Sequence, residues 1–173
     1  MALAAAALLA TGCGGQAEPA DSRPDGRLVL VSGRDDHGEQ RLESVDVYDG
    51  VDQEHVTAAI DDGTLARVSE IDGQMLHIST VEGPPASGWV DDFYLRGTMH
   101  LVGPPPTCRA RLAGTWQEPG MQVTVMSVRN GQLLVQGVAD PGVRGWSPRE
   151  LVQELPPQGP SCGADPPGGG HAH

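Results

Sequence analysis

The chain has 173 residues and a net charge of −12; every one of its 11 basic residues is an arginine, and only 3% of its residues are aromatic. A chain this acidic lacks the positive field that phosphate recognition needs, which argues against nucleic acid as a partner and against a surface helix lying on anionic lipid. Glycine (24) and proline (15) together exceed a fifth of the residues, so the expectation is one or two small, turn-rich domains with poorly ordered ends.

Residues 2–10 form an apolar run that is too short to span a bilayer but suits the hydrophobic region of a signal peptide. The block Leu9-Ala10-Thr11-Gly12-Cys13-Gly14-Gly15 that ends it resembles a bacterial lipobox. That resemblance implies a signal peptide over 1–12, lipidation of Cys13, a linker over 13–26, and a protein anchored on the extracytoplasmic face of the cell membrane. With Cys13 taken by lipid, Cys108 and Cys162 remain in an oxidising compartment, and an even remainder predicts a disulfide.

Leu28 to Val31 reads as an apolar strand, and the densest polar cluster of the chain, Ser32 to Gly38, follows it. Within that cluster Asp35, Asp36 and His37 could ligate a divalent metal, and His171 and His173 at the far end could add to a weak site. Adjacent residues seldom all point at one ion, so a solvated loop in which an aspartate caps a turn is the favoured reading. Asp61-Asp62 and Asp91-Asp92 are paired carboxylates placed for turn and surface roles. The sequence shows no phosphate-binding loop and no nucleophile elbow, so the chain reads as non-enzymatic and without a cofactor.

Farther along, the chain repeats itself. Residues 62–68 fall on 119–125, Asp72-Gly73-Gln74 on Asn130-Gly131-Gln132, and Gly88-Trp89 on Gly145-Trp146, at offsets of 57, 58 and 57 residues, which suggests a one-residue insertion. Each copy reads as strands: Met121, Val123 and Val125 alternate with polar residues, and Asn130-Gly131 is a favoured hairpin turn. No window carries helical periodicity with caps. Between the copies, Gly103 to Pro106 reads as a linker, and from Pro156 to residue 173 the chain reads as a proline- and glycine-rich tail. The acidity is confined to one side of that linker: residues 1–103 hold 18 acids and 6 arginines, and residues 104–173 hold 5 of each.

Val45 to Gly50, Asp62-Gly63-Thr64, Leu76-His77-Ile78, Gly88-Trp89-Val90 and Tyr94-Leu95, in this order and spacing, resemble a bacterial SH3 (SH3b) domain. A second stretch, Gly120 to Val125, Leu133 to Val135, Gly145-Trp146 and Leu151, resembles a degenerate second copy that has lost its opening loop. The resemblance implies an all-β fold of two tandem small SH3-like barrels, over 27–103 and 107–155, flanked by a disordered linker and tail. It implies binding or scaffolding in the cell envelope, with cell-wall peptide or an envelope protein as partner and Tyr48, Asp49, Tyr94 and Trp116 as ligand contacts. Trp89 and Trp146 are expected to plug the two barrels. The alternative is a metal-binding or metal-sensing lipoprotein that uses Asp35, Asp36, His37 and the two C-terminal histidines.

Overall fold

The computed structural model describes residues 26–35, 37–157 and Cys162. The fold is all-β, as expected, and its strands form two curled antiparallel sheets and a small hairpin. The first sheet holds β1 (Leu28–Val31), β2 (Ser44–Tyr48), β3 (Val56–Asp61), β4 (Leu65–Asp72), β5 (Met75–Thr80), β6 (Ser87–Asp91) and β7 (Leu95–Arg96), in the order β3-β2-β6-β5-β4-β1-β7. The second holds β8 (Met99–Leu101), β11 (Met121–Arg129), β12 (Gln132–Gly137), β13 (Arg144–Pro148) and β14 (Val152–Gln153), in the order β13-β12-β11-β8-β14. The hairpin of β9 (Arg111–Leu112) and β10 (Thr115–Trp116) packs beside β13. A single 3₁₀ turn precedes the last strand of each sheet, at Asp92–Tyr94 and Arg149–Leu151.

The internal repeat is a repeat of hydrogen-bonding register. His77 faces Trp89 as Leu134 faces Trp146, Asp72 faces Met75 as Arg129 faces Gln132, and a bulge interrupts β4 after Val68 as another interrupts β11 after Val125. The offset is 57 residues throughout, so the one-residue insertion expected at the hairpin turn is absent. Gly73-Gln74 occupies the turn of the first copy, and Asn130-Gly131 that of the second. Asn130 and Gly131 both take positive φ, 51° and 72°, whereas in the first copy only Gly73 does, at 61°. Two turns of different backbone type therefore close the same register.

Each copy opens with a strand that pairs both with the first long strand and with the last short one: β1 with β4 and β7, β8 with β11 and β14. Met99–Leu101, grouped above with residues 27–103, thus hydrogen-bonds within the second sheet, and only Gly97 and Thr98 separate the copies. The segment read as a linker lies inside the second copy. There Gly103 N–H donates to the Cys108 carbonyl at 2.9 Å, and Cys108 N–H donates back to that of Pro104 at 3.1 Å. The opening loop thought lost from the second copy survives as the short β9–β10 hairpin, the counterpart of β2–β3.

Two apolar clusters share the interior. Val29, Val31, Val45, Val47, Ile60, Val68, Ile78 and Val90 fill the first sheet. The second cluster combines Met99, Leu101, Leu112, Val123, Val125, Leu133 and Val135 with Leu28, Leu30 and Leu65 from the first copy. The unbroken apolar run Leu28–Val31 is explained by this arrangement, because alternate side chains of β1 enter different cores. Neither core contains a tryptophan. Trp89 is half-buried and Trp146 is 36% exposed, which corrects the expectation that they plug the interior.

What Gly-Trp contributes is its glycine. A Cβ on Gly88 would lie 2.5 Å from the Tyr48 carbonyl oxygen, and one on Gly145 would lie 3.0 Å from the Ala113 nitrogen. At both positions the missing side chain lets the inserted hairpin approach the sheet.

Polar contacts reinforce the join between the copies. The buried Ser32 hydroxyl donates to Glu154 at 2.5 Å, and the Glu154 carboxylate also faces Arg34 and Arg96, each at 3.4 Å. Arg149 donates to Glu82 at 3.0 Å and to the Gly63 carbonyl at 2.7 Å. Cys108 and Cys162 stand at disulfide distance with Cα atoms 5.1 Å apart, which ties the segment after β14 back onto the second copy.

Candidate functional site

β2 is paired on one side with β3 and on the other with β6, and its alternation sends Val45 and Val47 inward and Asp46 and Tyr48 outward. Tyr48 lies opposite Trp89, so Asp91, two residues beyond Trp89, projects from the same face of the sheet. Asp91 also accepts the Phe93 N–H at 3.0 Å, which caps the 3₁₀ turn and delivers Tyr94 to the neighbourhood of Tyr48. Together these elements enclose a cleft of about 310 Å³ in which two phenol rings and the carboxylates of Asp46 and Asp91 meet Gln53 and Leu42. Among the described residues no arginine lines it. A second hollow of about 260 Å³ adjoins it across Leu42 and Tyr94, floored by Phe93 and edged by Arg34, Arg41 and Asp35. Phe93 stands edge-on to Tyr94, with ring centres 5.1 Å apart, which fixes the aromatic wall between the two hollows.

Of the four expected ligand contacts, the structure brings two together. Tyr48 and Tyr94, 46 positions apart in the chain, line one cleft. Asp49 is exposed at the start of the β2–β3 turn, where its N–H donates to the His55 carbonyl, and it does not line the cleft. Trp116 belongs to the other copy, on β10, with the Arg111 guanidinium 5.4 Å from its ring centre. Asp46, Asp91 and Gln53, outside that expected set, line the cleft beside the two tyrosines. Alternation along β2 could have flagged Asp46, two residues before Tyr48 and therefore on its face.

The proposed metal loop is engaged otherwise. One Asp35 carboxylate oxygen accepts the N–H groups of His37 and Glu39 at 2.9 and 3.1 Å, and the other accepts from Arg41 at 2.7 Å. The Arg41 hydrogen bond holds the Asp35 pKa below its ordinary 3.8 against the opposing effect of desolvation, with the two backbone donors and the Arg41 charge also lowering it. Asp35 is thus the turn-capping aspartate of the favoured reading, while Arg34 donates within the loop to the Gly38 carbonyl at 3.0 Å and also reaches across to Glu154. Among the described residues no group of three or more His, Cys, Asp or Glu side chains could hold a metal ion. Asp36, His171, His173 and Cys13 lie outside the described residues. The other paired acids are also spoken for in part: Asp62 accepts the Gly33 N–H at 2.7 Å.

Comparison with known proteins gives no family model, no curated protein and no solved structure that matches this chain.

Proposed function

We propose that the chain is a non-catalytic binding protein of the cell envelope, lipid-anchored through Cys13 outside the cytoplasmic membrane and built from two SH3b-like units. Its binding site is the Tyr48–Tyr94 cleft, and its ligand is an extended segment of wall peptide or envelope protein that carries a cationic group. Support for the SH3-like reading comes from the strand order β6-β5-β4-β1-β7 and its counterpart β13-β12-β11-β8-β14, each with a 3₁₀ turn before its last strand. One observation carries the binding assignment: two rings and two carboxylates converge on a single cleft with no arginine in its lining. Rings of this kind pack on the apolar parts of a chain and attract cations at their faces, and the carboxylates add Coulomb attraction.

The test is co-sedimentation of the full-length protein with isolated cell wall, beside a charge-matched control, together with titration of a short arginine-containing peptide. We expect enrichment on the wall, and peptide binding that weakens about tenfold or more in Tyr48→Ala and in Asp46→Asn. Wall enrichment no greater than the control's, with peptide binding unchanged in both variants, would remove the assignment. In the same cells Cys13→Ala should move the protein out of the membrane fraction.

A further inference from the structure

The two copies present the same sheet positions to solvent with different charge. On the first, the outward row across β4, β5 and β6 runs from Glu70 through His77 to Trp89, with Asp72 at the hairpin end and Arg67, opposite Ser79, at the other. Fifty-seven residues later the corresponding row runs from Ser127 through Leu134 to Trp146, with Arg129 in place of Asp72. Arg144, opposite Gln136, adds a second cation where the first copy has Ser87. The outward positions of β11, β12 and β13 hold no carboxylate at all, in a chain with 23 acidic residues. Met126 at the bulge and Trp146 are 46% and 36% exposed there. Exposed tryptophan and methionine edged by arginine, without acids, is the composition that distinguishes protein interfaces from the rest of a surface.

We propose that this face of the second copy docks on the acidic outward face of the first copy of another molecule, head to tail. Charge complementarity selects that occupant: Arg129 and Arg144 on one side oppose Glu70 and Asp72 on the other, around Trp146 and Trp89. The two faces of one molecule cannot meet each other, because only Gly97 and Thr98 join the two sheets and a shared core fixes their arrangement. A contact between two different faces continues from molecule to molecule unless its rotation happens to close a ring. Three strands about 4.8 Å apart and three outward rows about 7 Å apart bound a face of a few hundred Å². That is well below the roughly 800 Å² per partner of a stable complex, so the association is weak and concentration-dependent. The docking face adjoins the cleft, since Trp89 lies opposite Tyr48, but the cleft lining includes neither Glu70 nor Asp72, so substitutions at those two positions test the docking alone.

Sedimentation of the full chain over a wide concentration range, at low and at high salt, tests it. We expect the average mass to rise with concentration at low salt and to fall back toward the monomer as salt screens the contact. The pair Arg129→Glu, Arg144→Glu and, separately, the pair Glu70→Arg, Asp72→Arg should each weaken self-association about tenfold. An equimolar mixture of the two variants should associate again, which also shows that both are folded. A monomer at every concentration, an association indifferent to either pair of substitutions, or a mixture that stays monomeric would overturn the proposal.

Discussion

At the scale of single residues, Asp35 shows how a short polar cluster is resolved by geometry. Its neighbours in sequence suggested an ion, but its oxygens are committed to two backbone N–H groups and to Arg41. Since the folded-state pKa lies below the ordinary value, the contribution of Asp35 to holding the loop is present above pH 3.8. It is lost as the pH falls below that value and through the folded pKa. We expect the Asp35 carboxyl to titrate below 3.8 by NMR, and to return toward 3.8 in Arg41→Ala; an unchanged midpoint would remove Arg41 as the cause. Tyr48 and Tyr94, singled out through motifs that resemble a known domain, line one cleft. Asp91 was not legible as a cleft residue, since its partner Asp46 is 45 positions away in the chain.

At the scale of elements, β1 joins the two copies. Leu28 and Leu30 insert into the core of the second copy while Val29 and Val31 stay in the first. The register equates Leu28 with Thr98, just before β8, Leu30 with His100 on β8, and Leu65 with Gln122 on β11. Where the first copy has leucines to cover its neighbour, the second has polar residues at the corresponding positions. Truncating Leu30 to alanine should therefore cost about 2–5 kcal/mol in denaturant unfolding, as for other buried leucines. Ile71→Ala, at a position 60% exposed, should change stability by less than about 0.5 kcal/mol. Equal effects of the two would contradict the two-faced burial of β1. The apolar run at 28–31 marked a strand, but nothing in it said that its alternate side chains enter the cores of two different units.

At the scale of the whole molecule, two units share a core, a carboxylate held by two arginines of the other unit, and a C-terminal segment tied back through Cys108 and Cys162. Unfolding should be a single cooperative transition; two transitions resolved by far-UV and tryptophan signals would show that the units melt separately. A cross-link spanning 54 residues stabilises by about 4 kcal/mol in the chain-entropy model. Reduction should accordingly lower the melting temperature by well over 10 °C, and an unchanged value would deny the pair any structural role. By itself the sequence determined the all-β class, the twofold repeat and the pairing of the last two cysteines, because alternation, turn residues and an even cysteine remainder are local or countable properties. Only the tertiary structure decided where one unit ends and the next begins, that the paired tryptophans face outward, and which acids share a cleft with Tyr48. Those outcomes depend on which distant strands pair and on which face each side chain emerges, and a bulge or a change of turn type alters that without any visible mark in composition.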